Sequence, residues 1–275
     1  MATSISTQDA SLHSKKRKRE EDVEVARDQK QPALSKTEKR KRARAAKAAK
    51  LGGREHGKMV SEDGGIDEAI GNMDGQLLAD FFVQKAKRHN KELSAVELND
   101  LYIPVHAFRD TSSWKSKRKL ENMPDFLKTF SSDHGASLSQ ASEINGDPHT
   151  LVITLAGLRA AEITRALRQF QNQECAVAKL FAKHIKLKEA QESVEKTRIG
   201  IGIGTPVRLN DLVKSKALKL DSLKRIVIDG SFIDQKKRGI FDMKDLHFPL
   251  LEFLNLPELC ERYTSEEQQV QLLVF

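Results

Sequence analysis

Apolar residues are spread unevenly along the chain, and where they recur they follow two different periods. From Met1 to about Gly75 no apolar face is sustained and no aromatic residue occurs, so ordering this stretch would not recover its conformational entropy. A disordered tail over 1–75 and a folded domain over 76–275 are therefore expected. After Gly75, QLLADFFVQKAKRH places Leu77, Leu78, Phe81 and Phe82 at helical spacing. SAVELNDLYI follows, with Ser94 as cap and Glu97 three residues on, the signature of a capping box. Phe108 to Gly146 is polar and Ser-rich and reads as a long loop anchored by Trp114 and MPDFLKTF. From His149 the pattern becomes regular. HTLVITL, CAVAKLF, RIGIGIG, LKRIVID and QQVQLLVF read as strands. Between them lie the helix GLRAAEITRALRQF, with Leu158, Ile163, Ala166, Leu167 and Phe170 on one side, a charged stretch from Lys183 to Lys196 that reads as a helix or an excursion, and the helix start TPVRLNDLVKSK. Continuous apolar strands separated by helices predict an α/β fold, a parallel sheet flanked by helices on both faces.

Charge sharpens the division. Residues 1–58 carry 17 basic and 8 acidic side chains, whereas 59–275 carry 30 and 31, so the formal net charge of +8 belongs to the tail. Two basic blocks stand out: Lys15, Lys16, Arg17, Lys18 and Arg19, then KRKRARAAKAAK with Lys39, Arg40, Lys41, Arg42, Arg44, Lys47 and Lys50. Such clusters suit a nuclear import signal, an RNA backbone contact, or a merely solvated tail. There is no 18-residue apolar run and no apolar stretch in MATSISTQDASLHSKKRKRE, so neither membrane insertion nor secretion is expected. Cys175 and Cys260 are the two cysteines; they fit a reducing compartment and cannot build a zinc site alone.

Candidate chemistry is sparse. GGREHGK at 52–58 has the spacing of a phosphate loop, but Met59 stands where Ser or Thr would hold magnesium, and neither a buried strand nor a helix flanks it. Parallel sheets receive ligands beyond the carboxyl ends of their strands, which would line up Thr154, Gly204 with Thr205, and Asp229. Thr205 is positioned to cap the helix from Pro206, and with Arg208 it would make a phosphate contact; the alternative is a capped helix with a solvated arginine. Asp229 ends a strand, but Gly230, Ser231 and Phe232 follow, so no second acid is adjacent to complete a magnesium site. Asp234, Gln235, Lys236, Lys237 and Arg238 form a charged patch, either solvated or a docking surface. The histidines form no triad or zinc spacing, and His184 and His247 read as surface or boundary residues. No catalytic residue, metal or cofactor is expected.

LVITLAGLRAAEI at 151–163, GTPVRLNDLV at 204–213, IVIDG at 226–230 and the terminal QVQLLVF resemble the first RecA-like domain of DEAD-box RNA helicases. In that comparison GTPVR stands near the family's TPGR element, which touches the RNA backbone, and IVIDG stands where the DEAD box would be. The departures imply that the activity is lost. The body has no phosphate loop, no Glu follows Asp229, Val207 replaces the glycine of TPGR, and a second RecA domain is not expected. The resemblance thus implies a RecA-like, P-loop NTPase-like single domain without a functional phosphate loop. KLFAKHIKLKEAQ at 179–191, GTPVR and DQKKR at 234–238, together with the basic tail, resemble the Cms1 family of nucleolar proteins. That likeness implies a non-enzymatic factor of the small-subunit processome, the 90S pre-ribosome, acting in ribosomal RNA processing with pre-ribosomal RNA or the U3 small nucleolar ribonucleoprotein and particle proteins as partners, in the nucleolus, without self-association. Thr205, Pro206 and Arg208 become candidate RNA contacts by the same likeness. The alternatives are a nucleotide-binding accessory subunit or helicase-like ATPase acting with a partner, and a chromatin- or DNA-associated factor.

Overall fold

The computed structural model of the protein describes residues 65–182 and 185–275. Both basic blocks, GGREHGK and His184 lie outside these residues. Five short apolar runs pair as expected: β1 (Thr150–Ile153), β2 (Ala176–Leu180), β3 (Ile199–Gly204), β4 (Arg225–Ile228) and β5 (Gln271–Val274). All pairings are parallel, in the order β2-β3-β1-β4-β5, with β1 at the centre. A parallel pair needs a crossover, and the intervening chain supplies helices to both faces.

Alternation along the strands divides the core. Leu151, Ile153, Ile226, Ile228, Leu272 and Val274 face one side. There they meet α2 (Gly75–His89), α7 (Pro206–Lys214), α8 (Lys244–Leu254) and α9 (Pro257–Tyr263) through Leu78, Phe82, Leu209, Leu212, Leu250, Phe253 and Tyr263. Val152, Ile201, Ile203, Val227 and Leu273 face the other, against Ile163 of α5 (Gly157–Ala166) and Phe126 of α4 (Met123–Thr129). The glycines of β3 admit close neighbours. A Cβ on Gly204 would stand 2.5 Å from the Leu180 carbonyl oxygen and 2.8 Å from Leu209.

Several expectations need correction. Order begins before residue 76: α1 (Glu68–Gly71) precedes α2, and Ile66 bridges Phe232 in antiparallel fashion. The long loop of 108–146 contains α4 and two 3₁₀ turns, with Trp114 packed edge-on against Phe126 at 5.5 Å. Leu158 is exposed, because α5 turns its second residue away from the sheet. The capping box opening α3 (Ala95–Asp100) forms as predicted, with Ser94 and Glu97 exchanging bonds. The 183–196 stretch yields α6 (Leu187–Glu195). Helices α8 and α9 have no counterpart among the expected elements; Pro249 lies inside α8 and reads locally as a breaker. His247, expected near the surface, is wholly buried on α8 with its Nε2 2.9 Å from the Phe82 carbonyl oxygen.

The outer edge of β5 is closed by the chain itself. Phe108 bridges Leu272, and the Arg109 amide donates to the Leu272 carbonyl at 2.8 Å. Arg118 is buried beside them with no carboxylate in contact among the described residues: it donates to the carbonyl oxygens of Val274, Gly71 and Thr111, which fastens α1, this segment and β5 together.

Candidate functional site at the carboxyl edge of the sheet

Parallel register brings the strand ends level. Ile153 stands opposite both Gly204 and Ile228, and Ile228 opposite Val274. The Thr154 amide donates to Gly204, Asp229 to Ile153 and Phe275 to Ile228, so Thr154, Thr205 and Asp229 share one edge as the pattern implied.

Asp229 does not face solvent there. Its exposure is 1%, and both carboxylate oxygens are occupied. Thr154 Oγ1 donates to Oδ2 at 2.7 Å, while Arg159 donates through Nε to Oδ2 at 2.9 Å and through Nη2 to Oδ1 at 3.1 Å. Arg159 reaches the carboxylate because α5 starts directly after β1, which places the third residue of that helix over the neighbouring end of β4. The paired fork is the strong geometry for an arginine and a carboxylate. The guanidinium also lies over the Phe232 ring, 4.2 Å from its centroid. Phe232 is held in turn by the segment at 65–67: the Asp67 amide donates to Ser231 at 2.8 Å and the Ile233 amide to Gly65 at 2.9 Å. A strap from the chain's own earlier part thus covers the place beyond β4 where a ligand of a parallel sheet would sit.

The residues after β3 are also mostly enclosed. Thr205 occupies the cap position of α7, but its side chain makes no capping bond, contrary to expectation. Pro206 is buried and Val207 is exposed. Arg208 is 8% exposed, not solvated; its Nη2 donates to the Ile185 carbonyl at 3.1 Å, and Nη1 has no partner among the described residues. The 234–238 patch is an ordered turn. Asp234 Oδ1 accepts from the Arg238 amide at 2.9 Å and Oδ2 from Arg238 Nη2 at 2.8 Å. The Arg238 bond holds the Asp234 carboxyl below the usual carboxylate range. Gln235, Lys236 and Lys237 remain exposed on this turn.

Arg159 and Arg118 are not marked by any local pattern in the sequence because each is defined by a partner far along the chain. The available signal was a basic residue within an otherwise apolar helix start, GLRAAEI, following a central strand. Among the described residues, no group of three or more His, Cys, Asp or Glu side chains is placed to hold a metal ion. No helix among them is long and apolar enough to cross a membrane.

The family model described as CMS1, U3-containing 90S pre-ribosomal complex subunit, matches residues 7–275. The chain belongs to the CMS1 family. Relatives include protein CMS1 of Chaetomium thermophilum, 49% identical over 78% of this chain and 84% of that protein. Protein cms1 of Schizosaccharomyces pombe is 28% identical over 70% and 68%, and human protein CMSS1 is 37% identical over 58% and 55%. Among solved structures, the yeast DEAD-box splicing factor Prp28 superposes with a TM-score of 0.40 at 16% identity, covering 62% of this chain and 44% of that one. As a member of the CMS1 family, the chain is placed in ribosome biogenesis as a subunit of the 90S pre-ribosomal complex.

Proposed function

We propose that this CMS1-family chain is a non-enzymatic assembly factor of the small-subunit processome, which docks to RNA and protein in the nucleolus and carries out no nucleotide chemistry. The occupied carboxylate of Asp229 supports this reading most directly. A buried carboxylate that already accepts three hydrogen bonds from Arg159 and Thr154 is committed to holding this edge together, and the 65–67 strap is bonded to the 231–233 segment just beyond it. The basic blocks of the tail suit contact with pre-ribosomal or U3 RNA and nuclear import. Thr205, Pro206 and Arg208 are secondary RNA candidates, since Arg208 would have to leave Ile185 to reach a phosphate. The exposed Gln235, Lys236 and Lys237 of the 234–238 turn are offered as a protein-docking element.

The test pairs two measurements on the full chain. Crosslinking in cells should recover small-subunit precursor RNA or U3 RNA, and recovery should fall on deletion of residues 1–58. Titration with magnesium and ATP should give no binding heat and no phosphate release. Failure to recover those RNAs would refute RNA docking, and an ATPase activity abolished by Asp229→Asn would refute the non-enzymatic reading.

A further inference from the structure

The opposite edge of the sheet, where the strands begin, has a different character. Gly146 runs across it, its amide donating to Thr197 at 2.9 Å and its carbonyl accepting from Lys219 at 2.8 Å. Three residues on, the His149 carbonyl accepts from the amides of Lys224 and Arg225. This one connecting segment therefore lies between Lys196 and Thr197 on one side and Lys216, Lys219 and Lys224 on the other. All four lysines are exposed, and no ion pair engages them among the described residues. Of the nearby acids, Asp147 is buried and accepts from the Ser222 amide at 2.9 Å and its hydroxyl at 2.5 Å, Glu174 pairs with Arg198 at 3.7 Å, and Glu195 and Asp221 are exposed beside the rim, leaving the four lysines in excess there. The positive field at this edge is felt by His149, whose imidazole is held to about 4 by burial first and then by Arg225 and Lys224.

Helix dipoles account for part of this arrangement, since α6 and α7 both end here and their carbonyls favour cations at Lys196 and Lys214. They do not account for Lys219 and Lys224, which lie beyond the last turn. Nor do they account for Lys216, which closes α7 in the left-handed region at φ 61°, a position where glycine is the less strained choice. Lys216 is thus a non-glycine residue at a strained position, as His134 and Lys237 are elsewhere in the fold.

We propose that this amino-end rim, built by Lys196, Lys216, Lys219 and Lys224, is a second RNA-binding surface on the folded body, gripping a phosphodiester backbone without reading bases. The proposal rests on the RNA-docking reading above and adds the face used. Among the described residues, Ile144 is the one large apolar residue strongly exposed beside the rim, too little for the apolar centre of a protein interface. No exposed aromatic ring stands among these lysines to stack a base, so contact is to phosphate and tolerant of sequence.

The experiment uses the full chain and a 40-nucleotide single-stranded RNA, long enough for tail and body together, with affinity measured against salt. The variant Lys196→Gln, Lys216→Gly, Lys219→Gln, Lys224→Gln should lower the slope of log K against log salt by about 3, since each phosphate contact on a single strand contributes roughly 0.7. The loss should be the same for RNAs of unrelated sequence. Lys216→Gly alone should raise the melting temperature by about 2–4 °C, through relief of left-handed strain, while weakening RNA binding. A residue with a purely structural role would give the first effect without the second. An unchanged slope in the folded quadruple variant overturns the proposal and leaves tail-borne RNA docking intact. If that variant binds RNA normally but no longer co-sediments with the 90S particle, the rim belongs to an acidic protein partner and the RNA assignment is likewise overturned.

Discussion

Replacing Arg159 by Leu tests the sealed edge most sharply. The substitution leaves the Asp229 carboxylate at 1% exposure with one hydrogen bond, from Thr154, where it had three. Glu162, also near Arg159 at 3.8 Å, lies at the surface and offers no replacement cation. Removing one partner of a buried ion pair costs about 3–5 kcal/mol, because the remaining charge is desolvated and uncompensated. For a body of this size that corresponds to a fall in melting temperature of about 6–20 °C, at roughly 2–4 °C per kcal/mol. The assay is a double-mutant cycle by urea unfolding with Asp229→Asn as the second change. Residues in direct contact should couple by about 2 kcal/mol, so the double variant should be clearly more stable than the two single losses predict. Additive effects, or an Arg159→Leu loss below about 0.5 kcal/mol, which is ordinary for a surface change, would show that the pair does not hold this edge together.

Three further outcomes are expected. Arg118→Met deprives the carbonyls of Val274, Gly71 and Thr111 of their buried donor, and should cost about 2–4 kcal/mol while raising amide exchange in β5 and α1; retained protection in both would contradict the clamp. Gly204→Ala puts a Cβ 2.5 Å from the Leu180 carbonyl oxygen, where backbone must move, and should lower stability by about 1–3 kcal/mol; a neutral result in chemical denaturation would show that β2 yields freely. Burial holds His149 and His247 to about 4, below the ordinary histidine value, so the unfolded chain binds more protons between the two values and stability is lost as pH falls through that window. At pH 5 the loss is about 2 kcal/mol for each, so a urea midpoint equal at pH 7 and pH 5 would refute it, and His247→Gln should flatten the dependence.

The five strands were legible because each is a short, mostly apolar run, wholly buried in β1, β3 and β4 and partly so at the edges, and local composition alone carries that signal. The edge they form was legible too, since parallel pairing obliges strand ends to align. What was hidden depends on side chains meeting across long separations. Arg159 and Asp229 are 70 residues apart, and Arg118 and Val274 are 156 apart; no local period marks either pair. Arg208 shows the opposite failure: a basic residue in a loop-to-helix motif suggests solvent, yet its long stem is enclosed and its head tied to Ile185. His247 looked like a boundary residue beside charged neighbours, but its environment is set by Phe82 and Phe241, which come from other elements.

The position of β1 has a consequence for how the chain is made. This strand lies at the centre of the sheet, yet its partners β3 and β4 come later in the chain, with Thr154 separated by 75 residues from Asp229. At about 5–20 residues per second, a ribosome leaves TLVI without its β4 neighbour for roughly 4–15 s. Both edges of this apolar strand are open until β3 has been made and one remains open until β4 follows, and an open edge is a template for pairing with the wrong chain. The body should therefore depend on chaperones during synthesis, and variants that slow docking of β4 should aggregate co-translationally even where their equilibrium stability is little changed.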